Sequence, residues 1–193
     1  MHAVFRQAAA LAVCAAFAAG CASADEQKQT QAVFDTGLAA YDAEDYGKAF
    51  EIFSSIDDRD LAAMRNVALM LRKGVGTAKD PKAAEDMYAR AAQGGLATAA
   101  ADLGEMLLNG EAGPPDPKAA APWLAGAAGA GHPVAAFELG QMFETGNGVP
   151  KDIEAARKLY KKAADGGMDE AKQRLAALPP APPQAAPPAT HKP

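Results

Sequence analysis

The stretch Gly146-Asn147-Gly148-Val149-Pro150-Lys151-Asp152 reads as the end of one helix, a turn, and the start of the next. Glycine tolerates the left-handed backbone that closes a helix, and an Asp ahead of an apolar-periodic run caps the free amides of the turn that follows. Gly110 stands 36 residues upstream of Gly146, and Gly74 another 36 upstream; Asp152 is preceded at the same steps by Asp116 and Asp80. The step also relates Met70, Met106 and Met142, then Ala84, Ala120 and Ala156, then Ala92, Ala128 and Ala164, then Gly95, Gly131 and Gly167. A fixed period of this length marks an array of helical repeats. Three full units are expected, over 61–96, 97–132 and 133–168, each a first helix, a Gly loop, an Asp cap, a second helix and a Gly stop. Pro81 and Pro117 follow their Asp caps directly, where the missing amide costs nothing.

The same phase accounts for residues that otherwise suggest chemistry. Met can bind soft metals, but the Met series falls at one equivalent position of successive first helices, which predicts a stacked apolar core. Gly74-Val75-Gly76 and Gly146-Asn147-Gly148 are followed by no Gly-Lys-Ser/Thr and preceded by no strand, so they read as turns rather than phosphate loops. Gly104 and Gly140 lie within first helices, in phase with Ala68, and predict close approach of the paired helix. Trp123 shares its phase with Met87 and Leu159 and is expected in the core. Pro122 sits deep in a second helix, where it removes a hydrogen bond and clashes with the preceding turn. Together with Gly126 and Gly129 it predicts a kinked, locally less stable helix.

Catalytic equipment is scarce. The chain has 193 residues, and its His residues are 2, 132 and 191, its Ser residues 23, 54 and 55, and its Cys residues 14 and 21. No Ser-x-x-Lys, Gly-x-Ser-x-Gly or His/Cys metal spacing occurs. Asp57-Asp58-Arg59-Asp60 reads as a solvated, capping loop. A non-catalytic protein with no cofactor and no metal is expected. A net charge of −5 with scattered Lys offers no basic footprint for nucleic acid.

The two ends differ from the middle. Met1 and Arg6 precede an apolar run from Ala8 to Ala19, too short for a stable bilayer span, which reads as an export signal over 1–24. Ala22-Ser23-Ala24 has the small-x-small cleavage form. Phe17-Ala18-Ala19-Gly20-Cys21 is similar to a bacterial lipobox, which would shorten the signal to 1–20, lipidate Cys21 and attach the protein to the membrane. The expected location is periplasmic, with a membrane-anchored lipoprotein facing the periplasm as the alternative. Residues 179–193 are Pro-rich and read as a disordered or polyproline-like tail. Asp25 to Thr30 reads as a flexible lead-in, followed by helices over Gln31–Ala43 and Tyr46–Ile56.

The run Gly37 to Ala49 resembles a tetratricopeptide repeat, and Lys48-Ala49 precedes Lys82-Ala83 by that family's 34 residues. The later units resemble the Sel1-like repeat family, a branch of the same superfamily. Unit three carries the resemblance most fully: Ala135, Leu139-Gly140, Phe143, Gly146 to Asp152, Ala155-Ala156, Leu159-Tyr160, Lys162-Ala163-Ala164 and Gly167. Unit one keeps Gly74-Val75-Gly76, Lys79-Asp80, Ala83-Ala84, Tyr88 and Ala91-Ala92. Unit two departs most, its loop reading Gly110-Glu111-Ala112-Gly113-Pro114-Pro115. Secreted Cys-rich members have been connected with penicillin binding, which does not transfer to repeats without Cys.

The resemblance implies an all-α, right-handed solenoid over 31–178, with repeats at 31–60, 61–96, 97–132 and 133–168 and a cap helix at 169–178. It also implies that first helices line the concave side. In-phase positions there are Asn66, Asp102, Glu138 and Arg174; then Leu69, Glu105 and Gln141; then Lys73, Asn109 and Thr145. These ten are the expected partner-binding residues. The expected function is an interaction scaffold of the bacterial envelope that holds a protein or peptide in its groove. A cell-wall-related enzyme and a purely structural spacer are the alternatives.

Overall fold

The computed structural model describes residues 23–180. The export signal, Cys14, Cys21 and the tail beyond Pro180 lie outside the described residues. Within them the chain forms helical hairpins: α1 (Ala24–Asp42) with α2 (Tyr46–Ser54), α3 (Leu61–Lys73) with α4 (Pro81–Gln93), α5 (Ala97–Asn109) with α6 (Pro117–Gly129), and α7 (Pro133–Thr145) with α8 (Ile153–Asp165), closed by α9 (Asp169–Ala177). No strand occurs among the described residues. Each helix packs on the next, and α5 also touches α7, so successive first helices form one rank of a solenoid.

The boundaries follow from local chemistry at equivalent positions. The carboxylates of Asp80, Asp116 and Asp152 accept hydrogen bonds from the amides of Ala83, Ala119 and Ala155 at 3.0, 2.9 and 3.0 Å. Asp60 caps α3 in the same way through Ala62 and Ala63. The first helices end on Gly74, Gly110 and Gly146, with φ of 68°, 66° and 81°, a region that side chains with a Cβ enter at a cost.

Packing bears out the periodic core. Met70, Met106 and Met142 are buried, as are Ala84, Ala120 and Ala156. A Cβ on Gly104 would stand 2.5 Å from Leu124, and one on Gly140 would stand 2.8 Å from the Tyr160 ring. Those glycines therefore set how closely α5 meets α6 and α7 meets α8. Trp123 is half-buried, like Met87 and Leu159, and packs against both large core clusters; the fully enclosed residue of α6 is Leu124.

One expectation changes. Asp25 to Thr30 is helix, not lead-in: Ser23 and Glu26 form a reciprocal capping box, and the acidic residues of the first turn favour the positive end of the helix dipole. The helix over 117–129 runs through Pro122 without interruption and matches α4 and α8 in length. Packing on α5 and α7 holds it in register despite the missing amide.

Candidate functional site

The C-terminal half of α3, the facing side of α5 and the loops after them enclose an open cleft of about 470 Å³. It is lined by Arg65, Leu69, Arg72, Lys73, Lys79, Asp102, Glu105 and Glu111. Arg65 donates from Nε to Asp102 at 2.6 Å, with side-chain exposures of only 7% and 17%. Arg72 donates to Glu105 at 3.2 Å and, in a forked pair, to Glu111, with one contact at 2.7 Å. Two parallel N–H···O bonds match the planar guanidinium to a carboxylate and fix both groups.

The electrostatics follow from these contacts. Its hydrogen bond to Glu111 raises the Arg72 pKa and lowers that of Glu111. Burial raises the Asp102 carboxyl, with Arg65 acting the other way. Lys73 and Lys79 are exposed at the mouth and make no ion pair among the described residues. The floor thus sets two guanidiniums against three carboxylates, Lys79 acts on Glu111 from the rim, and the Lys73 and Lys79 side chains stay exposed.

The line of charge continues onto α7. Glu138 is half-buried, and its Oε2 is enclosed without a hydrogen-bond partner. Burial, then Glu105 and Asp102, raise its pKa to about 7, with Arg72 opposing. His132, the N-cap of α7, accepts weakly from Ala135 at 3.4 Å and has a pKa lowered by burial.

The cleft gathers Leu69, Lys73, Asp102 and Glu105 of the ten expected residues, with Glu138 beside it. Asn66 is a correction. It is fully buried, with both amide atoms lacking hydrogen-bond partners. The reason is that α3 is enclosed on every side from Ala62 to Met70, so its 36-residue phase confers no open face there. Leu69 is likewise buried and forms floor. Asn109 is exposed at the end of α5 and Thr145 returns its hydroxyl to the Gln141 carbonyl at 2.8 Å; neither they nor Gln141 line the cleft. Arg174 pairs with Glu144 at 3.1 Å, on the far seam between α7 and α9.

Arg65, Arg72, Lys79 and Glu111 escaped sequence reasoning. Their pairings step by 37, 33 and 39 residues, near but not on the repeat. A cation offset by about one repeat from a carboxylate was the available signal. Glu111 lies in the loop where unit two departs from the pattern of its neighbours.

The Sel1 repeat profile matches residues 61–96, 97–132 and 133–168. The chain belongs to the Sel1 repeat family. Sel1 repeat proteins are generally protein-interaction scaffolds and typically non-catalytic. Among solved structures, this Sel1 chain is similar to a Sel1 repeat protein from Oxalobacter formigenes at 31% identity and TM-score 0.69, over 74% of this chain and 59% of that one. It shares its fold with a protective antigen of uropathogenic Escherichia coli, at 21% identity and TM-score 0.74, over 79% of this chain and 34% of that one. An immunity protein from Pseudomonas aeruginosa matches at 26% identity and TM-score 0.54, over 77% and 58%. The chain therefore spans about three fifths or less of the length of these three proteins. No curated protein matches it. Among the described residues, no group of His, Cys, Asp and Glu is placed to hold a metal ion, and no helix is long and apolar enough to cross a membrane.

Proposed function

We propose that this protein is a non-catalytic scaffold of the bacterial envelope that holds a protein or peptide segment against the α3/α5 cleft. The observation that carries this reading is the mouth of the cleft. Lys73 and Lys79 stand there exposed and without an ion pair among the described residues, above a floor in which each carboxylate already has a guanidinium partner. Walls whose carboxylates are held by guanidiniums, with exposed cations at the rim, suit recognition, because little reorganises on binding. The envelope assignment rests on the apolar run from Ala8 to Ala19 and the two cleavage patterns after it.

Cross-linking in intact cells, followed by identification of the captured protein, tests the scaffold. Lys73→Glu with Lys79→Glu should cut capture at least tenfold without changing the thermal melt, since both side chains are exposed. Capture undiminished by the double reversal removes the cleft from consideration. Fractionation of the wild type against Cys21→Ser tests the anchor; a lipoprotein moves from the membrane to the soluble fraction.

A further inference from the structure

The seams between successive first helices are not charged alike. At the α3/α5 seam, Arg65 and Arg72 meet Asp102, Glu105 and Glu111. At the α7/α9 seam, Arg174 meets Glu144. The α5/α7 seam between them has no cation to offer. The carboxylates of α5 are Asp102 and Glu105, those of α7 are Glu138 and Glu144, and neither helix contains Lys or Arg. The repeat shows where the missing cation would stand. Arg65 reaches the carboxylate one helix on, at Asp102, and Glu138 is the equivalent of Asp102. The residue equivalent to Arg65 is Ala101, which has no charge to give. Glu138 is accordingly left with its Oε2 enclosed and without a hydrogen-bond partner.

We propose that Glu138 is the anchor for a basic side chain, Arg or Lys, of the protein or peptide partner, seated over the α5/α7 seam in the role that Arg65 plays one repeat earlier. The proposal rests on the scaffold reading and specifies the chemistry of the bound segment. Charge complementarity selects this occupant. An anion would add to three neighbouring carboxylates, and an apolar group would leave Glu138 unpaired and further desolvated. A guanidinium matches the carboxylate and continues the ladder of ion pairs from α3 to α9.

The groups that act on Glu138 are Glu105 and Asp102 from α5 and Arg72 from α3. The only charged residue of α6 is Lys118, exposed in its first turn. On α8, Arg157 pairs with Glu154, Lys161 with Asp165 and Lys162 with the Gly129 carbonyl, while Lys158 is exposed. His132 responds to Asp102 and Arg65. Ionisation of Glu138 near pH 7 therefore makes cation binding pH-dependent, with about tenfold tighter apparent affinity at pH 8 than at pH 6 because the competent fraction rises by that factor.

The test uses the full chain, with argininamide as the cationic probe and citrullinamide as its neutral isostere, read by NMR at the Glu138 carboxyl and at the Ala101 and Glu138 amides. Argininamide should lower the Glu138 titration midpoint and shift those amides. Citrullinamide should do neither, and Glu138→Gln should weaken the response at least tenfold while retaining the wild-type circular dichroism. An equal response to both probes, a response that survives Glu138→Gln, or no response overturns the proposal. The cross-linked partner separates the two readings. Capture lost in the Lys73/Lys79 reversal but kept in Glu138→Gln leaves the scaffold standing and removes the anchor. A cation response at Glu138 in a protein that captures nothing retains the site and removes the scaffold.

Discussion

The α3/α5 and α5/α7 seams share one 36-residue frame and differ in what they do with charge. In the first, two buried guanidiniums pair with three carboxylates within the chain. In the second, carboxylates face one another and one of them, Glu138, is held with a pKa near 7. The helices behind the two seams differ as well. α4 carries Arg90 where α6 carries Gly126, and α6 also contains Pro122. A repeat frame sets positions, and what each position contributes is left to single residues. The first seam is a joint closed by its own ion pairs beneath the cleft, and the second is an open one.

Breaking the closed joint should have the largest effect. Arg65→Met leaves Asp102 desolvated and unpaired and should cost about 3–5 kcal/mol in urea denaturation. Adding Asp102→Leu should recover most of that loss, since removing both buried charges is far cheaper than removing one. A loss under 1 kcal/mol for the single variant would mean that water already solvates Asp102, and the contrast between the seams would collapse.

The open joint should show itself through pH. The folded-state pKa of Glu138 lies above its ordinary value of 4.5, so the folded protein binds this proton more tightly than the unfolded chain. That contribution is complete below pH 4.5 and is lost as pH rises through about 7. With allowance for solvent screening, stability should fall by about 2 kcal/mol between pH 5 and pH 8. Burial of Asp102 acts with the same sign. Urea midpoints measured across this range should flatten in Glu138→Gln, which should be more stable than the wild type at pH 8. An unchanged slope assigns the pH dependence elsewhere.

The smallest effect sharpens the comparison behind the seams. Nothing lies within 4 Å of a Cβ built on Gly126, so Gly126→Ala should stabilise the protein by about 0.5–1 kcal/mol. Amides over 117–129 should exchange faster than those over 153–165, because Pro122 supplies no hydrogen bond and the flanking glycines favour the unfolded chain. Equal protection would show that packing on α5 and α7 fully offsets the proline.

The legible part of the molecule was the part repeated three times. Met70, Met106 and Met142, the Asp caps and the glycines at helix ends each report the same local requirement, so a single chain supplies its own comparison. The candidate site was legible only as a rank of helices. Asp102 and Glu105 were found by phase, while Arg65 and Arg72 were missed because their partners lie off the 36-residue step. Asn66 was in phase and is nevertheless enclosed.

Hydrogen-bond capping, helix periodicity and turn geometry act over a few residues, so the chain alone specifies its helices, their caps, the order of the hairpins and the small residues where two helices touch. Burial and charge pairing depend on what neighbouring repeats bring within a few ångströms. Only the assembled stack could show that α3 is closed on all sides from Ala62 to Met70, that Glu111 reaches back from an irregular loop to Arg72, and that Glu138 stands where its repeat predecessor has a cation and it has none.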